Sequence, residues 1–497
     1  MPDHEKRIVM VSNRLPISLY KDEQNAIQVK QGAGGLVTAL VPLLNRRNGL
    51  WIGWPGTTEI SLEEIEKNER VFRDKIGFDI SPVILSENQW EMYYNGFSNE
   101  IIWPLFHDLQ SDCNFDPKYW NVYKEVNKKF AEQIIKKTGE NDFIWVHDYH
   151  LILTAQELRK KGFDSKLAFF LHIPFPPLDV FLKLPWRFEF LKGLLEYDLV
   201  GFQTMRDKRN FIQCIKTLMP HIQSSKTKSM HTYTLENHSC NVSVFPISID
   251  FNGVVEIAKG EDVAKRAWYN KEKLPHEKII FSVDRLDVTK GITYRLRAIE
   301  HLLEKHPELH RHISFIELVQ PSRIDIPIYQ KLKNEIDRLV GEINSRFTNN
   351  EWVPIKYMYR TMSREELISY YQIADVCLVT PFKDGMNLVS KEYPAARIHD
   401  DGVLVLSEFA GAAAQLHHNA MLVNPYDVEG ISNTLYQAIK QTKEEQNKHM
   451  SKMRESIKAH DIYWWIDSFL EAAFEQNLKS FQMIHEYLPE DKDLILK

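Results

Sequence analysis

Short apolar runs that do not alternate with polar residues, each ending in polar side chains and most followed by a helical pattern, recur along this 497-residue chain. A strand that is apolar on both faces must be covered on both, which is the situation of a parallel sheet flanked by helices. Arg7–Pro16 (RIVMVSNRLP), Phe143–His150 (FIWVHDYH) and Leu167–Pro177 (LAFFLHIPFPP) are runs of this kind, with Asp198–Thr204 and Val242–Asp250 as further strands. After Asp250 the series restarts: Lys278–Asp287, His312–Val319, Val353–Tyr359, Asp375–Pro381 and Gly402–Phe409 read as strands. Helical stretches at Thr293–Lys305, Ile328–Asn344, Arg364–Ile373, Leu388–Arg397 and Val428–Lys440 separate or follow them. A chain this long exceeds one ordinary core. The expected fold class is therefore α/β with two Rossmann-like domains, residues 1–250 and 251–470. A helical segment over 471–497 is expected to return to the N-terminal domain.

The bulk chemistry removes several function classes. A formal net charge of -6 gives no global attraction to nucleic acid or anionic membrane, so any phosphate must be held by a few placed cations. Cys113, Cys214, Cys240 and Cys377 are far apart, with no paired spacing, and read as free thiols rather than metal ligands. No metal and no cofactor is expected. Ile8–Val11 is too short for a signal-peptide core and no run approaches a membrane span, so the cytoplasm is the expected compartment. Self-association is left open.

Two facing Rossmann-like domains place a ligand crevice at the C-terminal ends of their strands, and the polar clusters fall at such ends. In Asp384–Glu392 (DGMNLVSKE) a glycine leaves a strand and amides open a helix, which suits an anion. Glu392 lies eight residues after Asp384, about two helical turns on, where it can accept ribose hydroxyls. Arg285 and Lys290 are five apart across a turn and can reach one diphosphate; the alternative is two solvated cations paired with Asp284 and Asp287. The glycines of 32–35 do not complete a dinucleotide fingerprint, so a tight turn and a ligand loop are equal readings. His172 reads either as a core histidine or as a sugar contact, and Asp148 as a cleft residue or a helix cap. Tyr94 and Trp103 have core-like spacing, and Arg14 and Arg323 are isolated cations at strand exits.

Across residues 7–470 the chain resembles the trehalose-6-phosphate synthases. The matching motifs are SNRLP (12–16), GAGGL (32–36), WIGWPG (51–56), YYNGFSN (93–99), WPLFH (103–107), WVHDYHL (145–151) and FFLHIPFP (169–176). DRLDVTKG (284–291), QPSR (320–323), VTPFKDGMNLVSKEY (379–393), LSEFAGAA (406–413) and LVNPYD (422–427) follow in order. The resemblance implies a GT-B fold, two Rossmann-like domains facing each other across a cleft. It also implies α-glucosyl transfer with retention from UDP-glucose, or another nucleoside diphosphate glucose, to glucose 6-phosphate. By that resemblance Arg285 and Lys290 grip the donor diphosphate and Glu392 the ribose. Asp384 and His172 hold the glucosyl hydroxyls, while Gly35, Gly385 and the amides of Met386, Asn387 and Leu388 close on the donor. Arg14, Tyr94, Trp103 and Arg323 match acceptor-phosphate positions, Asp148 an acceptor-sugar contact and Trp54 a cleft residue. Pro177–Asp179, Val288, Lys383 and Ala413–Gln415 depart from the common family pattern. They leave two alternatives: another phosphorylated acceptor, such as glycerol 3-phosphate, or a non-catalytic sugar-phosphate sensor.

Overall fold

The computed structural model describes residues 6–23, 27–31, 40–41, 43–45, 47–227, 229–274, 277–323, 326–349, 352–475 and 484–489. The chain divides into two units, one of Met1–Pro246 with Trp465–Met483, the other of Ile247–Trp464 with Ile484–Lys497. The crossing at Trp465 lies upstream of the expected start at 471, inside a single helix, Ile462–Glu475.

Among the described residues eleven strands belong to the first unit: β1 (Ile8–Arg14), β2 (Ile17–Lys21), β3 (Ile27–Gln31), β4 (Leu50–Trp54), β5 (Asp79–Pro82), β6 (Phe143–His147), β7 (Leu167–Phe170), β8 (Leu199–Phe202), β9 (Gln223–Lys226), β10 (His231–Thr234) and β11 (Ser239–Val244). Nine form one sheet in the order β5-β4-β1-β6-β7-β8-β11-β10-β9, parallel except for β10, which runs antiparallel to both its neighbours. β2 and β3 make a separate hairpin. The central strands are buried along their whole length, as their unbroken apolar runs require. One face packs on Trp120, Tyr123, Phe130, Phe190 and Phe211 from three helices. On the other, Trp145 stacks on Phe469 of the returning helix, centroids 4.2 Å apart, and Trp465 lies 5.2 Å from it.

The second unit holds β12 (Lys278–Arg285), β13 (Ile313–Gln320), β14 (Ile355–Tyr359), β15 (Val376–Val379), β16 (Val403–Ser407) and β17 (Met421–Val423). They form an all-parallel sheet in the order β14-β13-β12-β15-β16-β17. Counted by appearance, that order is the doubly wound one, reversing between its first and fourth strands. The parallel part of the first sheet reverses in the same way between β1 and β6. Ligands in open α/β sheets bind beyond the carboxyl ends of the strands at such reversals. Each unit therefore nominates its own site: residues after β1 and β6 in the first, after β12 and β15 in the second. All four cysteines are free, and three of them are buried. Among the described residues no helix is long and apolar enough to cross a membrane.

Candidate active site

In the second unit, β12 ends at Arg285, whose side chain is exposed. A short turn of 3₁₀ helix, Val288–Lys290, then carries Lys290 back beside the sheet. Asp287 builds this turn: its Oδ1 accepts from the Thr289 amide at 3.0 Å and the Thr289 hydroxyl at 2.9 Å. Its Oδ2 accepts from Arg323 at 3.1 Å, and Arg323 also donates to the Tyr329 hydroxyl at 2.6 Å. Burial acts to raise the Asp287 pKa, but Arg323, Arg285 and Lys290 outweigh it and hold the carboxyl below its usual value. Gly291 closes the turn with φ 66°, and a Cβ there would strike the Thr380 carbonyl, so this position requires glycine twice over.

The loop after β15 meets this turn. Phe382 donates its amide to the Thr289 carbonyl at 2.8 Å, and Lys290 Nζ reaches Asp384 Oδ2 at 2.5 Å. Burial disfavours the Lys290 charge, yet Asp384 and Asp284 more than compensate and raise its pKa, so Lys290 is a permanent cation. Asn387 donates to the same Asp384 oxygen at 3.1 Å. Asp384 also bridges to Ala410 beside the sheet, and Gly411 packs so tightly on the Gly385 carbonyl that a Cβ would collide with it.

The spacing of Asp384 and Glu392 as two turns of one helix is not what forms. Asn387 takes φ 70°, a left-handed value that interrupts the spiral, and the helix spans Val389–Ala396. Just ahead of it the Asn387 side chain accepts from the Ser390 amide at 3.2 Å. Three amides just before the helix, those of Met386, Asn387 and Leu388, have no acceptor among the described residues. They form a donor cluster at a helix start, in reach of the Lys290 turn. Glu392 is half-buried one turn later and accepts from the Tyr371 hydroxyl at 3.2 Å; burial raises its pKa, opposed by Arg364 and Tyr371. Arg454 anchors the far end by donating to the Pro394 and Ala395 carbonyls, both at 2.7 Å.

In the first unit Arg14 closes β1, and its guanidinium lies over three rings: Trp54 at 5.0 Å, Trp90 at 5.1 Å and Tyr94 at 5.8 Å. These rings stack in series, Trp54–Trp90 at 3.7 Å, Trp90–Tyr94 at 4.1 Å and Tyr94–His150 at 5.7 Å. The guanidinium lies within 5.8 Å of all three ring centroids, and no carboxylate pairs with it among the described residues, so its N–H groups suit an incoming anion. Trp54 Nε1 is buried and has no acceptor among the described residues. Tyr94 stands on a π-helix, Glu91–Ile102, in which Asn99 donates to the Tyr94 carbonyl at 2.7 Å and accepts from the Tyr149 hydroxyl at 3.2 Å. Such helices are rare and cluster at functional sites. Trp103 follows it, buried 5.9 Å from Tyr149.

At the neighbouring exit Asp148 has φ 74° and caps no helix with its side chain. Its Oδ1 instead accepts the His172 amide at 3.2 Å. His172 Nε2 lies 3.0 Å from His147 Nδ1. Burial pushes His172 down to about 3 and His147 well below its usual value, so both rings are neutral near pH 7. In the unfolded chain each titrates near 6.5, so their contribution to stability is complete above about pH 6.5 and is lost as pH falls toward 3. At about pH 5 His172 alone removes ~2 kcal/mol. Urea unfolding at about pH 7.5 and 5 measures the loss, and His172→Gln is expected to shrink it.

The anticipated residues thus separate by unit. Arg14, Trp54, Tyr94, Trp103, Asp148 and His172 gather at the β1/β6 reversal of the first. Arg285, Lys290, Arg323, Asp384, Gly385, Met386, Asn387, Leu388 and Glu392 gather at the β12/β15 reversal of the second. Gly35 lies outside the described residues. Trp90, Tyr371 and Asn99 serve these clusters without having been singled out in the sequence, and Asp287, read there as a partner for Arg285 or Lys290, instead holds Arg323 and the Thr289 turn. Among the described residues no group of three or more His, Cys, Asp or Glu side chains is assembled to hold a metal.

Known proteins resemble this chain in sequence and in fold. Residues 6–475 match the family model of glycosyltransferase family 20. A trehalose-6-phosphate synthase of Mycobacterium ulcerans is 40% identical over 469 residues, covering 93% of each chain. A UDP-forming alpha,alpha-trehalose-phosphate synthase of Burkholderia xenovorans, solved with glucose-6-phosphate, superimposes with a TM-score of 0.83 at 32% identity, covering 94% of this chain and 100% of that one. An E. coli trehalose-6-phosphate protein bound with UDP-2-fluoro glucose gives a TM-score of 0.83 at 33% identity, over 95% of this chain and 100% of the other. The fold is of the GT-B type, with two Rossmann-like units. The chain belongs to glycosyltransferase family 20.

Proposed function

We propose that the protein transfers glucose from UDP-glucose to glucose 6-phosphate with retention, forming α,α-trehalose 6-phosphate in the cytoplasm. The observation that carries this reading is the meeting of Arg285, Lys290, Asp384 and three amides without an acceptor among the described residues at one sheet reversal. Two cations and oriented amides match a diphosphate, whose charge grows as the glycosidic bond breaks, so they stabilise the transition state more than the bound donor. Glu392, oriented by Tyr371, takes the ribose hydroxyls; Asp384 and neutral His172 take glucosyl hydroxyls. A leaving-phosphate oxygen accepts the acceptor's proton, and no side chain is required as nucleophile.

The first unit supplies the acceptor set. Arg14, held beside the stacked rings of Trp54, Trp90 and Tyr94, takes the sugar phosphate with its N–H groups; Asp148 orients a sugar hydroxyl, and Arg323 serves from the second unit, braced by Asp287. Arg14→Ala removes one charge-assisted contact of about 1.5–3 kcal/mol, so KM for glucose 6-phosphate rises roughly 10- to 100-fold while KM for UDP-glucose stays within a few-fold. Initial rates with each substrate varied in turn measure this split; an unchanged acceptor KM removes Arg14 from the site. Of the departures from the family pattern, Gln415 is spent on structure, donating to the Ser456 carbonyl and hydroxyl at 3.1 Å. A panel of glucose 6-phosphate against glycerol 3-phosphate tests the acceptor, and an equal or higher kcat/KM for glycerol 3-phosphate overturns this assignment.

A further inference from the structure

Lys391 precedes Glu392 in the helix Val389–Ala396 and is 1% exposed. Its Nζ donates at 2.9 Å to the carbonyl of Ile247, the first residue after the chain leaves the first unit. That segment has no regular secondary structure, and alternate carbonyls along it accept hydrogen bonds. Phe245 O accepts from Trp465 Nε1 at 3.1 Å, Ile247 O from Lys391, and Ile249 O from the Ile462 amide at 2.9 Å. Trp465 and Ile462 flank the second point at which the chain passes between units. Both passages are therefore laced together by main-chain and indole donors, and the Lys391 side chain ties the lacing to the helix that carries Glu392.

Burial drives the Lys391 ammonium down to about 7, and Ile247 O is its acceptor among the described residues. An apolar side chain of the same length would fill the space without that desolvation cost. The sequence instead keeps a strong donor at a position with one function open to it, holding a backbone carbonyl of the passage. The helix packs on Phe251–Lys259, which continues directly from the laced segment, so a displacement of one is felt by the other.

We infer that Lys391 is a positioning residue that couples occupation of the donor helix to the two inter-unit passages, 245–249 and 462–465. The inference rests on the donor role proposed above for Glu392 and the 386–388 amides. When a uridine diphosphate group seats on those amides, Lys391 carries the resulting restraint to Ile247.

The test uses full-length protein, UDP as probe, and amide hydrogen exchange followed on peptides spanning 244–250 and 460–466. In the wild type UDP is expected to slow exchange in both peptides. Lys391→Met should bind UDP with a Kd within about threefold of wild type by calorimetry, lose most of that slowing, and show kcat for transfer lowered about tenfold with KM for the donor little changed. Lys391→Gln, which keeps an amide donor, should recover part of both effects. Unaltered slowing in Lys391→Met overturns the coupling, as does a Kd for UDP that rises in step with the fall in kcat. Should Lys391→Met not fold, wild-type protein still decides: UDP binding without slower exchange at 244–250 overturns the coupling alone. Absence of any UDP binding to wild type overturns the donor assignment and the coupling with it.

Discussion

Replacing Lys290 with alanine is expected to lower kcat by roughly 10³-fold, with a smaller change in KM for UDP-glucose. Lys290 is nearly buried, fixed by Asp384 at 2.5 Å and kept charged by Asp384 and Asp284 against the cost of burial. A cation placed in advance where diphosphate charge develops needs no reorganisation when the bond breaks, and in a site shielded from water its effect is large. The variant also takes the cation away from the Asp384 carboxylate, leaving Asn387 on the same oxygen, so the proposed glucosyl-binding group is held less firmly while the leaving group loses its counter-charge. Lys290→Arg should recover only part of the rate, because a planar fork cannot reproduce the compact contact with Asp384. Initial rates of UDP release measure both variants. A Lys290→Ala enzyme within tenfold of wild type would remove Lys290 from the chemistry.

The largest effect on stability is expected at Arg295, which contacts neither proposed substrate. Its guanidinium is fully buried, bidentate to Glu317 at 2.7 and 3.0 Å and bonded to Asp284 Oδ2 at 3.0 Å. It pins the helix Ile292–Lys305 to β12 and β13 directly beneath the Arg285–Lys290 turn. Burial raises the pKa of both Asp284 and Glu317, and Arg295 opposes that rise in each. Arg295→Leu leaves two buried carboxyls without their cation, and breaking a buried pair by removing one partner costs about 3–5 kcal/mol. Urea unfolding should show a lower midpoint with an unchanged slope. Because Asp284 adjoins Arg285, UDP affinity should fall as well. Arg295→Lys should be nearly as damaging, since one ammonium cannot satisfy three oxygens in that plane.

The central parallel strands of both sheets and five helices of the second unit were legible because an apolar run with polar ends has one economical use, whereas the long first-unit helix Pro117–Lys137 was not singled out. Phe143–His147, Leu167–Phe170 and Lys278–Arg285 all lie within the runs that announced them. β4 and β5 were passed over, one hidden within a tryptophan-rich motif and the other too short and mixed to signal a strand. The hairpin of β2 and β3 and the polar edge strand β9 carry no such apolar signal. The π-helix at Glu91–Ile102 was invisible because its period is neither that of a strand nor that of an α-helix, so its aromatics read as ordinary core. Trp90 looked like one aromatic among polar neighbours, and only the fold slides it between Trp54 and Tyr94. Arg295 and Lys391 sat in amphipathic patterns where a cation normally faces water. Their partners are distant or are backbone carbonyls, which no spacing rule reports. Strand-exit clusters were readable because parallel sheets concentrate chemistry at their carboxyl ends; the left-handed turn at Asn387 that separates Asp384 from the helix was not.

The central claim is tested most directly by incubating the purified protein with UDP-glucose and glucose 6-phosphate and following the products by mass spectrometry and proton NMR. The account predicts equimolar UDP and a disaccharide monophosphate whose two anomeric protons both carry the small coupling of α linkages. UDP-glucose left intact with every phosphorylated acceptor, or a product with a β anomeric coupling, would contradict it.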